Sequence, residues 1–155
     1  MRTRPTVCLV LAGVLAVAGC TNAVDVTPPT PRGDVRRACR ALAAKLPDRV
    51  SDEDRRTVDP KSDLTAAWGD PPITMRCGVA KPRAYTPTAQ LFGVDAVAWL
   101  PVPQDAASPT TFYAVERTAY VEVVVPKEQA PASDTLVDLG HVVAKTDPKD
   151  PNAKP

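Results

Sequence analysis

Four cysteines and a single histidine are the residues whose position most constrains their chemistry in this 155-residue chain. Cys8 lies inside an apolar N-terminal run, and Cys20 closes that run at Val17-Ala18-Gly19-Cys20. Small residues meeting a cysteine at the end of such a run match the bacterial lipobox. There the thiol takes a diacylglycerol, and Cys20 becomes the first mature residue. Residues 1–19, with Arg2 and Arg4 ahead of the apolar stretch 7–18, read as a signal peptide. The stretch falls short of the roughly 20 residues a membrane span needs. A double-chain lipid, at about 0.8 kcal/mol per buried CH₂, holds a domain on a membrane nearly permanently. The expected location is extracytoplasmic, anchored by lipid to the cell membrane.

Cys39 and Cys77 remain, and in an exported protein two cysteines are expected to form a disulfide. Cys39 falls on the apolar stripe of a helix with Val35, Ala38, Leu42 and Leu46. Cys77 falls on the apolar face of a strand with Ile73, Met75 and Val79. A bridge between them would tie helix to strand across the core.

The remaining candidates are weaker. A Ser–His–Asp arrangement would have to use His141, with Ser62, Ser108 or Ser133 as nominal partners, and none of these sits in a Gly-x-Ser-x-Gly elbow. One histidine and a bonded cysteine pair do not make a tetrahedral zinc set. Asp52, Glu53 and Asp54 lack calcium-loop spacing and its central glycine. No glycine pattern cradles a phosphate, so neither metal nor cofactor is expected. Trp68, Asp70 and Arg76 are the candidate ligand or partner patch, an indole beside a turn and a guanidinium suited to carboxylate or phosphate. Asp70 with Arg76, or Glu116 with Arg117, would supply a polar patch on an open sheet face.

Composition bounds the partners. There are 19 Lys plus Arg against 18 Asp plus Glu, so no basic field points to nucleic acid. Aromatics are 5% of the chain, too few for stacking platforms, and the 18 prolines mark linker, turns and tail. Residues 20–33 read as the lipidated cysteine and a Pro/Thr-rich linker, extending at about 3.1 Å per residue to roughly 40 Å. Residues 34–145 read as one α+β domain, and 146–155 as a disordered tail. Asp34 is the expected N-cap of the first helix and Pro47 its stop. Residues 48–61 read as a polar turn or loop. Strands are expected over 73–79, 94–100, 111–116 and 119–125, and a last helix over 133–145. That order predicts an antiparallel sheet of about four strands packed on one side by two helices, with one helix-to-strand disulfide.

The run Ala66-Ala67-Trp68-Gly69-Asp70-Pro71-Pro72, followed by Arg76-Cys77-Gly78-Val79, resembles the signature of an actinobacterial family, domain-of-unknown-function family 3515. The resemblance extends to Cys39 with Leu42, Leu46 and Pro47, to Val97-Ala98-Trp99, and to 120–126. It implies secreted or lipid-anchored proteins and transfers no activity. The function expected is therefore a non-enzymatic binding module at the outer face of the cytoplasmic membrane, with another envelope protein or component as partner. The alternatives are a small envelope hydrolase using acidic residues and a structural spacer.

Overall fold

The computed structural model describes residues 22–103 and 110–155. The stretch expected as a signal peptide, with Cys8, the expected lipidation residue Cys20, and Ser108 lie outside the described residues. In chain order the elements are β1 (Val24–Asp25), α1 (Gly33–Ala43), β2 (Arg49–Val50), β3 (Glu53–Arg56), β4 (Val58–Asp59), β5 (Thr65–Trp68) and β6 (Ile73–Val79). There follow β7 (Phe92–Val94), β8 (Val97–Val102), β9 (Thr110–Val115), β10 (Tyr120–Val125) and α2 (Ser133–Thr146).

The alternation read at 73–79 becomes β6, which pairs antiparallel with β5 on one side and β10 on the other. Eight strands form one sheet in the order β2-β3-β5-β6-β10-β9-β8-β7, all pairs antiparallel. One face carries Trp68, Ile73, Met75, Cys77, Trp99, Phe112, Val121 and Val123, sharing a buried cluster with Leu42 of α1 and Leu136, Leu139 and Val143 of α2. Both helices thus cover that face. Cys39 and Cys77 are bridged within it. On the opposite face, Tyr85 from the β6–β7 loop buries against Leu100 and Val115, a second and smaller core.

Four strands were expected and eight are present. Two of the four additions, β2 and β3, come from 48–61, expected as a polar turn or loop, and β5 and β7 are the other two. Glu53–Arg56 pairs with β5 through Arg55↔Trp68 and Arg56↔Ala67, and β2 extends it by a hairpin. Ser51 and Asp52, at φ 50° and 63°, form the two-residue turn whose twist suits such a hairpin. This edge region is charged because both faces of β3 are wet, and charges at a sheet edge oppose pairing with other chains. Alternation is therefore lost as a signal. The single strand expected over 94–100 is a second hairpin, β7–β8, turning at Asp95 and Ala96. Gly33 opens α1 after Arg32, and Asp34 instead pairs with Arg37 within the first turn.

From Asn22 onward the expected linker lies on the domain, and so does the expected tail. Val24 and Asp25 pair parallel with Val58 and Asp59, and Val26 is buried. After α2, Asp147 is fully buried, Asp150 N donates to Glu116 O at 3.1 Å, and Arg117 bridges Lys149.

Candidate functional site

Cross-strand register lines up Thr65, Arg76, Glu122 and Tyr113 on the face away from the helices. Each belongs to a different strand, so the backbone ladder sets their spacing. Arg76 Nε donates to Glu122 Oε1 at 2.7 Å and Nη2 to Oε2 at 3.0 Å, a bidentate fork. Tyr113 O–H donates to Oε2 at 2.9 Å. Glu122 is buried, whereas the Arg76 side chain is 35% exposed, so the pair presents a guanidinium rim over a sunken carboxylate. The hydrogen bond to Glu122 holds the Arg76 guanidinium above its usual range, against burial. Burial, then the bond to Glu122, pushes the Tyr113 hydroxyl up to about 12. Three donors occupy the carboxylate, which leaves it a positioning group for Arg76 and Tyr113. What the row offers chemically is a fixed, half-exposed cation beside an aromatic ring, a recognition surface rather than a proton-transfer pair.

The structure does not bring Trp68, Asp70 and Arg76 together. Trp68 is wholly buried on the helix face, its indole N–H donating to Pro47 O at 3.1 Å, with the Arg55 guanidinium 4.9 Å from the ring centroid. Arg76 points to the other face, because Met75 and Cys77 flank it on the helix side. Asp70 is exposed in the β5–β6 turn. All four residues of β5 are buried, so no alternation in the sequence marks which face the indole takes.

Glu122 is not among the site residues legible in the sequence, where it stands as one polar position in a valine-rich strand. The signal available was an acidic residue amid apolar neighbours, opposite Arg76 once 73–79 and 119–125 are paired. Glu116 and Arg117 also separate. Arg117 is buried, donating to Asp147 O and, at 2.7 Å, to Ala96 O. The Asp147 carboxylate accepts from Ala119 N at 3.1 Å. Burial lifts it from 3.8 to about 6, while the Ala119 amide, Arg117 and the Thr118 amide pull the other way. Burial likewise lowers Arg117, with Asp147 partly offsetting it.

His141 is exposed on α2, where its Nε2 lies 2.8 Å from Lys145 Nζ. It lines a cavity of about 280 Å³ with Asp138, Asp95 and Arg49. Neither Ser62 nor Ser133 is bonded to it: Ser62 accepts from Leu64 N and Ser133 donates to Asp134. Among the described residues, no three His, Cys, Asp or Glu side chains are grouped to hold a metal ion, and no helix is long and apolar enough to cross a membrane.

These features define a two-layer α+β domain, stapled through its core by one disulfide and presenting a polar row on the helix-free face of its sheet. The chain belongs to the family described as protein of unknown function (DUF3515), whose model matches residues 6–152. That span takes in β1 and the C-terminal segment as far as Asn152. No curated protein and no solved structure matches the chain.

Proposed function

We propose that this chain is a lipid-anchored envelope protein, tethered through Cys20 at the outer face of the cytoplasmic membrane and acting as a non-enzymatic binding module. The observation that carries the binding reading is the row Arg76–Glu122–Tyr113. Its carboxylate is occupied in positioning, and its guanidinium is held rigidly at a half-exposed sheet surface with Thr74, Thr111 and Val124 beside it. A rigid Arg and Tyr on a shallow mixed surface are the composition of an interface centre. A carboxylate hydrolase would need two acidic groups facing across a cleft. Asp147, the described carboxyl that burial raises most, is instead sunk under Arg117 and bonded to backbone.

The test is photo-crosslinking in cells from Thr74 and Val124, which flank the row, with the exposed Asp134 of α2, on the helix-covered side of the sheet, as control. One envelope protein captured from both row positions and not from the control supports the reading. Equal capture from all three removes the open face as an interface.

A further inference from the structure

Between β3 and β5 the sheet opens. The β3–β5 ladder stops at Arg56↔Ala67, and the chain veers away to pair β4 with β1. The Leu64 carbonyl accepts from Cys77 N, so alternation turns the next peptide, that of Thr65, toward the gap. On the other bank, Val24 N donates to Thr57 O and Val26 N to Asp59 O. The Val58 peptide between them faces the gap as well.

A cavity of about 270 Å³ occupies this break, lined by Arg55, Arg56, Lys61, Ser62 and Thr65 among others, with no acidic residue in its wall. Thr65 is 3% exposed, and its hydroxyl has no hydrogen-bond partner among the described residues. Arg56 donates two N–H groups to Gly69 O and Asn22 O, at 2.8 and 2.9 Å, so its charge stays fixed beside the gap. Lys61 is exposed, and among the described residues no carboxylate lies within ion-pair distance of it. Cations, hydroxyls and backbone N–H groups around a small cavity are the donor set for a phosphate.

The path of the chain says where that phosphate comes from. Asn22, bonded to Arg56, stands two residues after Cys20, and two residues reach at most about 7 Å. Residues 22–33, laid on the domain, provide no stand-off. Asp25 and Asp59, exposed and in register on the same margin, oppose a purely anionic surface and suit an amine.

We infer that the β1–β4 margin docks on the bilayer, with the cavity between β4 and β5 taking the phosphate of a zwitterionic phospholipid headgroup whose amine meets Asp25 and Asp59. This rests on the Cys20 anchor proposed above. Lys61 reaches over the phosphate as a mobile ammonium, and Thr65 turns its hydroxyl to the phosphate oxygen.

The experiment is amine footprinting of the full chain, produced in a lipidating bacterium, with the mass of the mature N-terminus recorded on the same sample. Modification of Lys61 is read against Lys145 at the end of α2, first in micelles of a glycoside detergent and then in phosphatidylcholine bilayers containing phosphatidylethanolamine or phosphatidylglycerol. Docking predicts several-fold protection of Lys61 in the bilayer, greater with phosphatidylethanolamine, and reduced by Thr65→Val, which keeps side-chain size and folding. Equal modification of Lys61 and Lys145 on a lipidated chain overturns the docking and leaves the anchor standing. Protection that Thr65→Val does not change, or that is stronger with phosphatidylglycerol, overturns the headgroup site. If Cys20 carries no lipid, the anchor reading falls, and the same footprint with added vesicles decides docking alone: protection keeps it and none removes it.

Discussion

Replacing Asp147 by Asn tests the energetics of the C-terminal segment. Asp147 is fully buried, and its folded-state pKa lies at about 6 against an ordinary 3.8. A carboxyl whose pKa is raised by folding binds its proton more tightly in the folded state. Its ionised form therefore withholds stability above about pH 6, and that stability returns as pH falls toward 4. Two pKa units at about 1.4 kcal/mol each make the withheld amount about 3 kcal/mol. The amide introduced by Asp147→Asn would keep an oxygen for the Ala119 N–H and carry no charge at any pH. Urea unfolding of both proteins at intervals between about pH 4 and pH 7.5 gives the assay, since other titrating groups cancel in the difference. Relative to wild type, Asp147→Asn should gain about 3 kcal/mol over that rise in pH. A difference that stays flat, or that moves the other way, would show that the carboxylate is not held in a desolvated site and would refute the reasoning.

Removing the Cys39–Cys77 bridge by paired alanine substitution should cost about 4 kcal/mol on the chain-entropy estimate for a separation of 38 residues, read by denaturant midpoint under oxidising conditions. Gly78→Ala should lose at least about 2 kcal/mol. Its φ is 86°, and the new methyl would lie 2.6 Å from Pro31 Cγ and 3.3 Å from Cys39 Sγ. A melting temperature unchanged by this substitution would contradict the seating of residues 22–33. Across Arg76→Met and Glu122→Leu, a double-mutant cycle should give a coupling of about 1 kcal/mol, kept small by the exposure of Arg76. A coupling indistinguishable from zero would make the fork a loose surface contact.

What the sequence made legible was whatever one face of an element must bury. The stripe of α1 and the alternation of β6 put the right side chains into one cluster, and placing Cys39 and Cys77 on those faces led to the bridge that forms. Legibility failed where burial is two-sided or absent. Thr65–Trp68 is buried on both sides and has no period, while Glu53–Arg56 is polar throughout because it borders solvent. Val26 and Asp147, each in a proline-rich stretch, are single buried residues with no neighbours to form a pattern. The polar row needed tertiary register: Glu122 meets Arg76 from forty-six positions away, and nothing local marks the pair.

The parallel pairing of β1 with β4 also decides how the molecule carries a load. A pull on the N-terminus falls first on two residue pairs that stand outside the eight-stranded sheet. They peel without disturbing any other strand pairing. Residues 22–32 then straighten as slack, at up to about 3.5 Å each. The force next reaches α1, and through Cys39 it passes covalently into β6, held between β5 and β10 in the interior of the sheet. The domain is thus a short spring in series with a hard stop: its margin yields and recovers while the polar face keeps its geometry.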